Sequence, residues 1–378
     1  GHNLYKNEFT SVTMLELNMR TTGILAEILQ GMRSRCITDQ MWQALEDTLL
    51  GWRRVNGKLE PLPDGVEDPR WQQEPFITEP VTYMVHRHSV RAAQSYHNAV
   101  RECVKSRERL YISVACDVAR GGSAEAFTDE VRREIFQKHN PRNVQNITGV
   151  LQLYRGGRYV LCSKICVRLG LVHGCQCVLE DIIFADDECL PQAVFAGSPI
   201  VLKYLPPQLL LRAVDAPWTL PATQLPALPE TMSRNGLFLL APQTAYFTHD
   251  LGDGESIRIR RTHFSMLPAD VRIVYGVQGE GLKAGVADME KAPGMKDEVH
   301  WLANYVMLSR LQDIQGLLTL RLPKDKQQLE SGAPAYLIEE MDRLIQLEKK
   351  SVKELRQRFL CVSEVFRDAM GDSNVHTA

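Results

Sequence analysis

This sequence predicts an α/β fold with an inserted all-β segment and an amphipathic C-terminal helix. Three observations carry the prediction. Apolar strand-like runs lead into helical segments near residue 81, and the α/β character returns at Val271. Between them, residues 150–265 hold short β runs broken by Gly- and Pro-rich turns. Beyond residue 335, apolar positions fall at three- and four-residue spacing.

The elements follow in order. Leu25, Ile28, Leu29 and Met32, then Met41, Leu45 and Leu49, recur at helical spacing, with Thr38-Asp39 between them as an N-cap. They predict two helices within residues 1–50. Residues 51–80 are rich in Pro, Gly and charge and read as a linker. Val81–Val85 reads as a strand and the stretch from Ser89 as a helix. Leu110–Cys116 reads as another strand. Residues 150–265 read as a small barrel or sandwich, with a hairpin turning at Gly252-Asp253-Gly254. Val271–Tyr275, Ala284–Met289 and the Trp301 segment restore the α/β pattern, so 81–149 and 266–325 make one domain around the insertion. Residues 326–378 form a helical tail, one long helix or two broken near Lys349–Ser351, in which Leu337, Met341, Leu344, Val352, Leu355, Phe359, Val362 and Phe366 make the apolar stripe. The stripe suits packing on the body or a contact with a partner.

Composition narrows the function classes. The 378 residues suit two or three domains, and 44% hydrophobic with 24% charged residues is ordinary for a globular protein. A net charge of −2 gives no global basic field, so any nucleic-acid contact needs a local patch. Nine cysteines, an odd number, predict a reducing, intracellular setting. No apolar run reaches the length of a membrane span. The start, GHNLYKNEF, has neither signal-peptide features nor an initiating Met, so the chain is expected to be a piece of a longer protein.

"WLANYVMLSRLQDIQGLLTLRL", from Trp301 to Leu322, poses the functional question. A charged side chain in so apolar a stretch is either ion-paired in the core or points from the end of its element at an anionic ligand. Upstream, "LPADVRIVYGVQGEGL" carries a strand into a Gly-flanked loop at Gln278-Gly279, the kind of loop that lets backbone N–H groups approach phosphate.

These blocks resemble the C-terminal half of the petite-integration-frequency (Pif-type) DNA helicases of superfamily 1B, transposon-borne relatives included. "LELNMRTTGILAEILQGMRSRCITDQMWQAL" resembles the family's leucine–arginine motif. "YMVHRHSVRAAQSYHN" is similar to the block that opens the second RecA-like domain. "GGRYVLCSKICVRLGLVHGCQCVLEDIIF" resembles the block leading into a small β-barrel insertion. "FSMLPADVRIVYGVQGEGL" and "YVMLSRLQDIQGLLTLR" resemble the last two helicase motifs. The blocks fall in family order across most of residues 10–322.

The resemblance implies a RecA-like second motor domain and roles at matching positions. Arg310 would be the arginine finger on the γ-phosphate of ATP, and Arg20 a second contact to it. Such fingers are worth ~10³–10⁵ in rate in other phosphoryl-transfer enzymes. Gln278 and Gly279 would couple the nucleotide cleft to DNA. Arg87, His88, Ser309 and His173 would approach a single strand or a fork. ATP and Mg²⁺ are the implied cofactors, 5′–3′ unwinding the implied activity, repair and recombination the implied processes, and the nucleus a possible compartment.

The departures are specific. Thr21 follows Arg20 where the family has Gln; Tyr275, Gly276 and Val277 replace histidine, lysine and serine; Gly281 replaces threonine; His173 replaces an asparagine. No G-x-x-x-x-G-K-[ST] occurs in these residues, so the β/γ-phosphate cradle would come from a first RecA-like domain outside them. A non-catalytic DNA- or protein-binding module is the alternative. Plainer readings remain beside each role: Arg310 as a salt-bridged core residue, Arg20 as a helix cap or ion pair, Gln278 as a turn residue. Cys162, Cys166, Cys175 and Cys177, with His173 among them, have the wrong spacing for paired zinc ligands, and no metal is expected.

Overall fold

A computed structural model describes residues 21–120, 127–136, 140–192, 194–226, 229 and 232–371; side chains at 141, 142 and 358–371 are not described. Helices α1 (Gly23–Ser34) and α2 (Asp39–Glu46) come first, with the Thr38 hydroxyl accepting from Met41 N as the expected N-cap. Hairpin β1 (Trp52–Val55) and β2 (Lys58–Pro61) follows. Next come β3 (Val81–Val85), α3 (His88–Ser106), β4 (Leu110–Val114), β5 (Cys116–Arg120) and α4 (Asp129–Phe136). A β-rich stretch holds β6 (Val150–Leu153), β7 (Arg158–Leu161), β8 (Gln176–Ile183), β9 (Pro199–Val201), β10 (Gln208–Ala213), β11 (Leu237–Leu240), β12 (Gln243–Gly252), β13 (Glu255–His263) and β14 (Met266–Pro268). The chain then returns through β15 (Val271–Ile273), β16 (Ala284–Asp288), α5 (Asp297–Leu308), β17 (Leu317–Arg321), α6 (Gln327–Glu330) and α7 (Ala335–Gly371).

The organising layer is a parallel sheet in the order β15-β3-β16-β17. Every residue of β3 and β16 is buried. This is the pattern of a sheet covered on both faces, and it explains their continuous apolar runs. Alternation divides the side chains. Met84, Ala287 and Leu317 face α1, α2 and α5, packing with Leu25, Met32, Trp301 and Met307. Tyr83, Val85, Val286 and Leu318 face the other way, against Phe76, Trp71 and Val90. The overall class is therefore mixed α/β with a parallel sheet, as the sequence predicts.

Two expected boundaries move. Residues 51–80 are not a free linker. Asp68 is buried and accepts from Gly51 N and Arg70, while Arg70 donates to the carbonyls of Asp47 and Leu49. Leu49 also bridges to Thr319, which extends the sheet past β17. Charge and proline hid a segment fixed by ion pairing. The expected strand Leu110–Cys116 breaks at Ala115 into β4 and β5. Neither joins the parallel sheet: β4 pairs with β6 and β9, and β5 with β13. They thus bond to the β-rich stretch, although the sequence places them in the segment 81–149. A lone apolar strand does not reveal its partner.

Candidate functional site

Helix α5 starts beyond the C-terminal end of β16 and ends at Leu308, with Ser309 as its C-cap, and β17 then begins beside the start of β16. Ser309, Arg310 and the following loop therefore lie at the edge where the parallel strands begin. A five-residue strand rises about 3.3 Å per residue, which puts this edge about 15 Å from the edge where the strands end.

Three chain segments are stitched together at the first edge. Leu282 N donates to the Arg310 carbonyl at 2.7 Å, and Leu282 forms a parallel bridge with Leu311. The Thr21 hydroxyl donates to the Leu311 carbonyl at 3.1 Å, and Thr22 N to the Gln312 carbonyl at 2.8 Å. Gly279 precedes Leu282 by three residues, so it stands within about 10 Å of this seam. Gln278 and Gly279 are exposed, and Gly279 has φ +91°, a conformation that suits glycine. The loop is fixed at its base by an ion pair between Arg272 and Glu280.

Arg310 is half-buried at this seam. Its Nη2 donates to Ser309 Oγ at 2.8 Å, and its Nε to the Val306 carbonyl at 3.2 Å. Ser309 in turn donates to Val306 O. The last turn of α5 thus holds the guanidinium at the helix end, beside an exposed loop. Arg20 lies outside the described residues; its neighbour Thr21 is buried and bonded to the residue after Arg310. Gly316 closes the seam. A Cβ there would sit 2.0 Å from the Lys283 carbonyl, so only glycine permits this approach.

The other candidates lie elsewhere. Arg87 caps α3 and His88 opens it, both at the end of β3, on the far edge. Arg87 is 3.5 Å from Glu290, which also pairs with Arg321, and Arg321 bonds both oxygens of the fully buried Asp288. Behind them, burial and then the neighbouring His300 and Arg87 push His86 down to about 4. His173 is exposed in the turn before β8, which belongs to the five-stranded sheet β11-β10-β8-β7-β14 and not to the parallel sheet. Ser309 sits with Arg310, not with Arg87. The structure therefore gathers Gln278, Gly279, Ser309 and Arg310 at one edge and separates Arg87, His88 and His173 from them.

Sequence reasoning missed the Asp288–Arg321–Glu290–Arg87 network. Its signal was legible as "ADME" ending one apolar strand and Arg321 ending the next. The Thr21 bond had no signal in a single sequence. Among the described residues no group of three or more His, Cys, Asp or Glu could hold a metal ion; Cys175 and Cys177 have sulfurs 3.9 Å apart.

No family model and no curated protein matches this sequence. Solved structures similar to it are Pif1 helicases. The Candida albicans enzyme is 14% identical, with a TM-score of 0.47 over 86% of this chain and 58% of that one. A Bacteroides enzyme in complex with ADP-AlF3 and ssDNA is 12% identical, with a TM-score of 0.47 over 89% and 56%. A Pif1 helicase structure concerned with unwinding of forked dsDNA is 11% identical, with a TM-score of 0.46 over 88% and 54%. This chain spans little more than half the length of each.

Proposed function

We propose that this chain carries the second, RecA-like motor domain of an ATP-dependent DNA helicase of the Pif type, with residues 150–265 as an inserted small barrel. In this reading it supplies an arginine finger and part of a single-strand track, and a first RecA-like domain outside these residues supplies the phosphate cradle. The observation that carries it is the seam joining Thr21–Thr22, Leu282 and Arg310–Gln312, because three separated motif blocks meet there beside the Gln278-Gly279 loop. A planar guanidinium held at a helix end suits the γ-phosphate, since it stays charged and grips oxygens in a fixed fork.

ATP and Mg²⁺ fit this chain only in part. Arg310 can stabilise charge on the transferred phosphoryl group, and Ser309 orients it. No residue at P-loop spacing offers the lysine or the Mg²⁺-binding hydroxyl. The opposite edge, with Arg87 and His88 at the start of α3, would face the DNA backbone; the family's 5′–3′ direction and the helical tail α7 belong to the same reading. The test is reconstitution with a first RecA-like domain, fused or mixed, measuring DNA-stimulated ATPase activity. Arg310→Ala should lower turnover by about 10³ or more. Equal activity in the two proteins would remove the finger assignment.

One observation favours a second reading, a non-catalytic binding module. Val277 stands where the family has a serine and is fully buried, so no hydroxyl is presented there. Absence of any ATPase activity in the reconstituted wild type, with DNA binding intact, would decide for this reading.

A further inference from the structure

The three-stranded sheet β12-β13-β5 has two unlike faces. On its inner face Phe247, Ile257 and Ile259 pack with Ile135 of α4. The inward arginine of β13, Arg261, is fully buried and forks onto both oxygens of Asp117 at 2.8 and 2.7 Å. Outward residues of the same strands are different. Arg120 and Arg258 stand directly opposite each other across β5 and β13, and Arg260 stands opposite Tyr246 across β13 and β12. Both Arg120 and Arg258 lean over the Tyr246 ring, at 5.2 and 5.3 Å from its centre. Tyr246 is 37% exposed.

None of these three arginines is ion-paired among the described residues, whereas Arg261 beside them is. The Arg260 Nε is buried and meets no acceptor. Like charges placed directly across a sheet destabilise it, and the ring between them relieves only part of that repulsion. A polyanion with flat rings would relieve the rest. Arginines two residues apart on a strand follow a backbone of phosphates, and a flanked aromatic offers one base a stacking platform.

We propose that the outer face of β12-β13-β5 binds single-stranded DNA without reading sequence. Arg120, Arg258 and Arg260 hold phosphates, and Tyr246 stacks one base. The choice of DNA rests on the helicase reading; the face itself does not. Its position on a sheet separate from the parallel sheet beside which Arg310 lies makes it a second hold on the strand, one that needs no nucleotide.

The test uses the full chain and a fluorescein-labelled oligothymidylate, read by anisotropy across a salt series. Arg258→Ala/Arg260→Ala should weaken binding by about tenfold or more and make the log–log salt slope shallower by about 1.4. Tyr246→Ala should lose about tenfold while Tyr246→Phe keeps its affinity. A bromouracil-substituted strand should photo-crosslink to a peptide of β12 or β13. Unchanged affinity in these variants, with melting temperatures equal to wild type, overturns the proposal. So does crosslinking confined to other peptides, or displacement of the strand by polyglutamate with no effect of Tyr246→Ala, which would mark an acidic protein partner. If binding fails only in Arg87→Ala/His88→Ala, this inference falls and the helicase reading stands. If the face binds but Arg310→Ala leaves reconstituted ATPase activity intact, the reverse holds.

Discussion

At the scale of single residues, the seam and the buried histidine decide most. Gly316 lets the loop after Arg310 pass against the Lys283 carbonyl. Gly316→Ala should destabilise the protein by about 3 kcal/mol, since the obstructing atoms are the Lys283 backbone and not the far end of a flexible side chain. Urea midpoints of the two proteins check this. His263 is fully buried, with Nδ1 2.9 Å from the Thr148 carbonyl and Nε2 3.0 Å from Ser113 Oγ. Burial pushes it down to about 4. An unfolded histidine titrates near 6.5, so between these values the unfolded chain binds the extra proton. Stability is therefore full above about pH 6.5 and falls as pH drops toward 4, by about 3 kcal/mol for this residue alone. His263→Gln should flatten that dependence in denaturation curves taken at successive pH values.

At the scale of elements, the Arg261–Asp117 pair joins β13 to β5. Removing one partner leaves a buried charge without its counterpart, so Asp117→Asn should cost about 3–5 kcal/mol. Replacing both with apolar residues, as in Arg261→Met/Asp117→Leu, should restore much of it, and a double-mutant cycle measures the difference. The elements were legible where periodicity was strong. The two-helix start, the capping Thr38, the strand at Val81 and the hairpin at Gly252–Gly254 all follow from local spacing and turn chemistry. The break at Ala115 was not legible, because "LYISVACDVA" is one apolar run whose two halves find different partners only in space. Nor was the fixing of residues 51–80, since the buried Asp68 and the half-buried Arg70 are a clamp in the fold and mere polarity in the sequence.

At the scale of the whole molecule, the parallel sheet β15-β3-β16-β17 shares no strand with the other sheets. Contact between the two regions runs through α3, where Ala99 and Cys103 pack on Leu110 and Tyr154, and through an ion pair between Arg158 and Asp270. Asp270 is itself buried and its carbonyl receives Tyr83 N, so this pair ties β7 to the sheet. Scanning calorimetry should show one transition in the wild type and two in Arg158→Met, in which Asp270 is left buried without its cation. Two transitions in both proteins would mean that the pair does not couple the regions.

The sequence by itself determined the α/β class and the places of its early helices, strands and turns, and it singled out Arg310 and Gln278-Gly279 as candidates, because hydropathy period and turn residues are local properties of a chain. Tertiary structure alone decided that Thr21, Leu282 and Arg310 share one seam, that Arg87 and His88 belong to the opposite edge, and that Arg258 faces out while Arg261 faces in toward Asp117. Those outcomes depend on strand partners, register and direction, which arise from long-range hydrogen bonds and burial that no short stretch of sequence encodes.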